Sequence, residues 1–160
     1  MIKTGEYSPV MNELLNLIVD GKMDTISRTN LLSSKRLHIN DIKYESVRFY
    51  IDYANVCLLD DVITEEEMRD VVLLKRFLNI KHKDFNEYGY DYTIREILKQ
   101  QLRKMYADDR IDKNEAIMKV NLQGLFDFSY DDFLVVVNEF AKESIERGAD
   151  IKNLDTFIPQ

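Results

Sequence analysis

The chemistry open to this chain lies in its carboxylates. Residues 58–72 read "LLDDVITEEEMRDVV" and residues 106–120 read "YADDRIDKNEAIMKV", each a paired Asp followed by Ile two residues later and by a Glu beyond. Such clusters can hold a hard cation or, where two carboxyls face one cleft, move protons. Oxygen-only ligands select Ca²⁺, Mg²⁺ or Mn²⁺ over Zn²⁺ or copper. An EF-hand is excluded, because that loop needs oxygen ligands at its third and twelfth positions. Counting from Asp60, those are Val62 and Val71; counting from Asp108, they are Arg110 and Lys119. No Gly-rich phosphate loop, nucleophile elbow or His-rich metal motif occurs, so no catalytic residue is assigned. His38 and His82 each follow a helix end and read as surface residues. Cys57, the single cysteine, lies in the apolar stretch "ANVCLLDD" and reads as a buried small hydrophobe.

Local physics accounts for half of each hinge. Thr64 with Glu67, and Asp112 with Glu115, fit the capping box, in which a small polar N-cap and an acid three residues on satisfy each other's backbone amides. Ile63 and Ile111 are placed to staple onto the new helix. Asn79 and Asp127 tolerate the left-handed turn that ends it. The pairs Asp60-Asp61 and Asp108-Asp109 are not explained this way. They fall at the negative end of the preceding helix, where each costs a few tenths to about 1 kcal/mol. Water and salt, a nearby Lys or Arg, or a bound metal would offset them.

The elements that carry these hinges are helical. Apolar residues recur at three- and four-residue steps in 9–20, about 26–37, about 41–59 (Tyr44, Val47, Ile51, Ala54 and Leu58) and about 65–78 (with Met68, Val71, Val72, Lys75 and Leu78, and Leu74 and Phe77 widening the stripe). Further helices are expected over about 92–107, 113–126 and 130–147, the last stopped by Gly148. "FLVVV" alone suits a buried strand, but its continuation into "NEFAKESI" decides for helix. The stretch 83–92, "KDFNEYGYDY", reads as a loop after a short helical turn, and Tyr88, Tyr90 and Tyr92 around Gly89 form either a partner-contact surface or packing over the bundle. A partner surface requires at least two of the three to be largely exposed.

The likeness of the two hinges extends into the helices after them. Ile63 to Ile80 spans the same distance as Ile111 to Phe128, and Asp84-Phe85 and Asp132-Phe133 come at the same offset. A fainter copy, "VDGKMDTISR" and then "LHINDI" (37–42), opens the chain. The fold class expected is all-α, a compact bundle of about seven helices with repeated helix–acidic hinge–helix units. It forms one domain over 1–160, with 149–160 as a docking tail.

Composition agrees. Hydrophobic residues make up 45% and charged residues 32%, and only 5 Gly and 2 Pro interrupt the chain. A net charge of -7 argues against a nucleic acid partner, which asks for a basic stripe. No apolar run approaches the ~18 residues of a membrane span, and no secretory signal opens the chain, so a cytoplasmic location without membrane insertion is expected.

A helix ending in an A-D-[G/D]-x-I hinge, followed by an N-capped helix with Glu, resembles the TerB-like domains named after tellurite-resistance proteins. The stretches that carry the likeness are "ADDRIDKNE" (107–115), "LDDVITEEE" (59–67) and, weakly, "VDGKMD" (19–24), with the helix pattern extending it over roughly 10–148. The resemblance implies an all-helical module of bacterial stress-response or defence systems that holds divalent metal. Carried over by position, it implies Asp60 and Glu67 in one hinge and Asp108 and Glu115 in the other as metal residues. The first hinge departs from the pattern, with Ser27 where Glu belongs; Asp61 and Asp109 replace the usual Gly. The function expected is a non-enzymatic interaction module that binds another protein. An acidic inhibitor or immunity-type protein covering a basic partner is the alternative, and a metal-assisted hydrolase is a third reading.

Overall fold

The computed structural model describes residues 6–59, 63–105 and 113–148, with the backbone alone for 113–117. Among the described residues there are eight α-helices and no strand. They are α1 (Pro9–Val19), α2 (Thr25–Ser34), α3 (Lys43–Cys57), α4 (Glu65–Leu78), α5 (His82–Glu87), α6 (Asp91–Met105), α7 (Lys113–Leu125) and α8 (Tyr130–Glu146), with a 3-10 turn at Ile39–Ile42. The helix added to the expected set is α5, which occupies what reads as a loop. "FLVVV" lies inside α8, as its polar continuation requires. None of the helices among the described residues is long and apolar enough to cross a membrane.

A recurring turn explains the internal likeness of the sequence. The side-chain-bearing residues at positive φ among those described are Arg36 (57°), Asn79 (53°) and Asp127 (52°). Each comes after a helix and closes it the same way. The next amide donates five residues back, Leu37 to Leu32 O (2.9 Å), Ile80 to Lys75 O (2.9 Å) and Phe128 to Gln123 O (3.1 Å). This is the Schellman arrangement, which satisfies carbonyls that the helix end leaves open. Three residues after each new N-cap comes an Asp: Asp41 accepts from His38 N (2.7 Å), Asp84 from Lys81 N (2.8 Å) and Asp132 from Ser129 Oγ (2.6 Å). Ile42, Phe85 and Phe133 come immediately after, and all three are buried. An apolar residue before the cap and another at the fourth helical position fix the angle at which the chain enters the new helix. The "LHINDI" copy is therefore a full member of the set.

Helix ends are further tied by side chains from neighbouring helices. Arg28 of α2 donates to Phe77 O (2.5 Å) and Arg76 O (3.3 Å), while Lys43 of α3 donates to Leu78 O (3.5 Å) and Asn79 O. At the end of α7, Lys75 donates to Gly124 O (2.7 Å) and to the Asp127 carboxylate, and Tyr50 to Leu125 O. Cations at a helix C-terminus meet both its open carbonyls and the negative end of its dipole. Lys75, which periodicity places on the stripe of α4, and Lys43 are thus buried ties. Burial pushes the Lys43 ammonium below its ordinary value, and Asp84, 3.7 Å away, works against that.

The core joins α1 through α8. Met11, Leu14, Val47, Tyr50, Ala54, Leu78, Phe85, Ile94, Leu98, Leu122 and Phe126 are fully enclosed. Cys57 is buried, as its apolar setting predicts. Tyr44 is a correction: expected on the inner face of α3, it is 53% exposed, because the first turn of α3 lies over the tyrosine loop rather than over the core. Val72 is likewise 42% exposed, while Leu74 and Phe77, also expected on the stripe of α4, are buried.

Candidate functional site

The acidic hinges come first. Asp60 and Asp108 lie outside the described residues, as do Ile111 and Asp112, and Glu115 falls where only backbone is described. Of the four residues expected to hold metal, Glu67 alone has a described side chain. Its Oε2 accepts from Thr64 N (2.9 Å) and Thr64 Oγ1 (2.9 Å), while Glu67 N donates to Thr64 Oγ1 (3.2 Å). This is the capping box read from the sequence, with Ile63 buried before it. Among the described residues no group of three or more His, Cys, Asp or Glu side chains stands close enough to hold an ion. The first hinge is described throughout: Asp20 is exposed, Gly21 turns at φ 71°, and Asp24 caps α2 by accepting from Ser27 N (2.8 Å).

The tyrosine loop divides. Tyr92 is 74% exposed, whereas Tyr88 and Tyr90 are half-buried against the core. Their rings meet Tyr44 at 6.1 Å edge-on and 6.3 Å tilted. Burial, followed by the hydrogen bond with Tyr44, pushes the Tyr90 phenol up to about 12. The pair of exposed tyrosines that a partner surface requires of the loop is not formed: Tyr92 alone of the three is largely exposed, and Tyr88 and Tyr90 pack over the bundle.

His82, expected at the surface, is half-buried. Its Nδ1 lies 3.0 Å from Phe126 O and its ring 4.9 Å from that of Phe128, so it closes the end of α7 beside Tyr50 and Lys75. His38 is exposed, as expected.

The feature that periodicity did not show is an open groove of about 720 Å³ between α1, α3 and α4. Leu15 from α1, Phe49 from α3 and Leu74 from α4 form its buried floor. Ile18, Met23 and Tyr53 are half-buried on its walls, and Val19, 84% exposed, stands at its lip. Polar groups are few: Asn12, Asn16 and Asp70. Asn12 donates from Nδ2 to Tyr7 O (3.1 Å), and its buried Oδ1 has no partner among the described residues. Burial, then the electrostatic effects of Cys57 and Asp70, pushes the Tyr53 phenol up to about 12. Concave apolar walls with a few placed polar groups are the ordinary make-up of a binding site. The α1 stripe, Leu14–Leu17–Ile18, signals an inward face, but a stripe alone does not tell how much of it neighbouring helices leave uncovered.

Comparison with protein-family models, with curated proteins and with solved structures finds no match, so the TerB-like resemblance rests on the hinge residues themselves.

Proposed function

We propose that this chain is a non-enzymatic interaction module that seats an apolar segment of a partner protein in the groove between α1, α3 and α4. The observation that carries this reading is the groove itself, with its floor of core residues and Val19 at its lip. Apolar surface that a fold leaves gathered in one concavity is the usual mark of an interaction site. The setting, by the TerB-like resemblance, is a bacterial stress-response or defence system, with divalent metal at the acidic hinges as a scaffold rather than a reaction centre.

The test is site-specific photo-crosslinking in the native host, with benzoylphenylalanine at Val19 and, separately, at Tyr92. A discrete protein adduct from Val19 that disappears when Ile18→Glu is added is the expected result. Adducts from Tyr92 alone would move the partner surface to the tyrosine loop. Adducts from Val19 that Ile18→Glu leaves intact would show that the groove does not select its occupant.

A further inference from the structure

We propose that the occupant of this groove is a basic amphipathic helix, its apolar face on Leu15, Phe49 and Leu74 and its cationic flank against Asp70; the inference rests on the docking reading above. Two observations choose the occupant. The first is charge. Asp70 is the charged residue of the lining, and among the described residues no Lys, Arg or His lines the groove. Glu66 and Glu67 stand one turn before Asp70 on the same face of α4, since residues three and four apart are neighbours on a helix. Asp70 has no ion pair among the described residues. Lys22 and Arg69, cations near the groove in sequence, lie outside the lining. The opposite wall, Asn12 and Asn16 on α1, is neutral. The charge within the lining is therefore one carboxylate, Asp70, without an ion pair among the described residues; Glu66 and Glu67, like Lys22 and Arg69, lie outside the lining, in a chain of net charge -7.

The second observation is shape. A groove bounded by three helices, with no strand among the described residues to extend, suits a helix laid along it rather than an added strand. A helix offers apolar anchors at i, i+3, i+4 and i+7 on one side and charge on its flanks. Val19 at the lip is 84% exposed, and Ile26, in the first turn of α2, is 73% exposed. A compact small molecule held on the floor of the groove would leave these side chains bare.

The probe is a labelled peptide of roughly 18 residues, long enough to hold helix when bound, with a Leu face and a Lys flank. Its counterpart keeps the Leu face and carries Glu. Both are titrated with the full chain by fluorescence anisotropy at low and high salt. The Leu/Lys peptide is expected to bind about tenfold tighter than the Leu/Glu peptide or better, with the difference shrinking as salt screens it. Val19→Arg, at an exposed position that does not support the core, should weaken it by about tenfold, and Asp70→Asn should weaken it and flatten its salt dependence. Glu146→Gln, an exposed acid on α8, should leave it unchanged. Equal affinity for both peptides, lost in Val19→Arg, would keep the groove as a docking site and overturn the basic helix. Leu/Lys binding indifferent to both groove variants would be attraction to an acidic surface at large and would overturn both readings. A dimer that Val19→Arg dissolves would name a second copy of the chain as the occupant and overturn the inference.

Discussion

At the scale of single residues, Arg36, Asn79 and Asp127 do the same work with unequal comfort. Side chains in the left-handed region crowd the backbone by about 1–2 kcal/mol, less for Asn and Asp, whose short polar groups bond locally. Arg has no such relief. Arg36→Gly should therefore stabilise the protein, by about 0.5–1 kcal/mol once the extra chain entropy of Gly is subtracted. Asn79→Ala should destabilise by about 1 kcal/mol, and urea denaturation curves with unchanged slope would measure both. Asn79 and Asp127 were legible because Asn and Asp announce this turn; Arg36 carries no such signal, and only the faint likeness of "LHINDI" to the later copies hinted at it. Thr64, Glu67 and Ile63 were legible for the same local reason. The metal expectation at Asp60, Glu67, Asp108 and Glu115 has its own test. If the hinges hold cations, thermal melts should rise with Ca²⁺, Mg²⁺ or Mn²⁺, by about 2.7 kcal/mol at a hundredfold excess over Kd. Asp60→Asn with Asp108→Asn should abolish the rise. Melts indifferent to all three ions would leave Glu67 to its cap.

At the scale of helices, cohesion comes as much from side chains that close a neighbour's end as from apolar stripes. Stripes were readable, since α4 falls at the expected 65–78 and α6 and α8 lie within two residues of expectation. Arg28, Lys43, Tyr50, Lys75 and His82 were not, because which carbonyl a side chain reaches depends on how helices are set against one another. Lys43 is the sharpest case. With Asp84 buried beside it, removing the cation alone strands a carboxylate, so Lys43→Met should cost about 3–5 kcal/mol. Lys43→Met combined with Asp84→Asn should recover part of that, and additive losses in the double-mutant cycle would show that the pair is not coupled. The α6–α8 contact depends on a more exposed pair. Lys99 donates to Glu143 Oε1 (2.7 Å), and this bond first, with the charges of Lys99 and Arg103 behind it, holds the Glu143 carboxyl below its ordinary 4.5. A carboxyl lowered in the folded state binds its proton more weakly there than in the unfolded chain. Its stabilisation is present above about pH 4.5 and drains away as pH falls through the lower folded value. Melting temperature against pH should thus fall less steeply below that point in Glu143→Gln than in the parent.

At the scale of the whole molecule, the groove and the charge balance belong together. Buried cations lie inside the bundle, Lys43 and Lys75 at helix ends and Lys99 between α6 and α8, and of the described acids only Asp84 is buried with them. The first turns of α4, with Glu65, Glu66 and Glu67, and of α8, with Asp131 and Asp132, then add acid at the helix starts, where the dipole favours it. An acidic lip beside an uncovered apolar floor results at α4, the one of these two that borders the groove. Composition alone permits basic partners without pointing to one; only the packing of α1 on α3 and α4 reveals an uncovered groove. If a basic helix seats there, it should bind the folded chain and not the unfolded one, and so slow the local opening through which amides exchange. Hydrogen exchange with the Leu/Lys peptide should therefore slow in residues 12–26 and 66–74, and not in α6 or α8. High salt should erase the effect at the acidic lip before it erases it at the floor, since screening acts on exposed charge and leaves apolar burial standing. Protection that instead spreads over 85–92 and α6 would place the contact on the tyrosine loop, with Tyr44 and Tyr92 as its exposed rings. Protection that is uniform would mark a general rise in stability, with no seat in the groove at all.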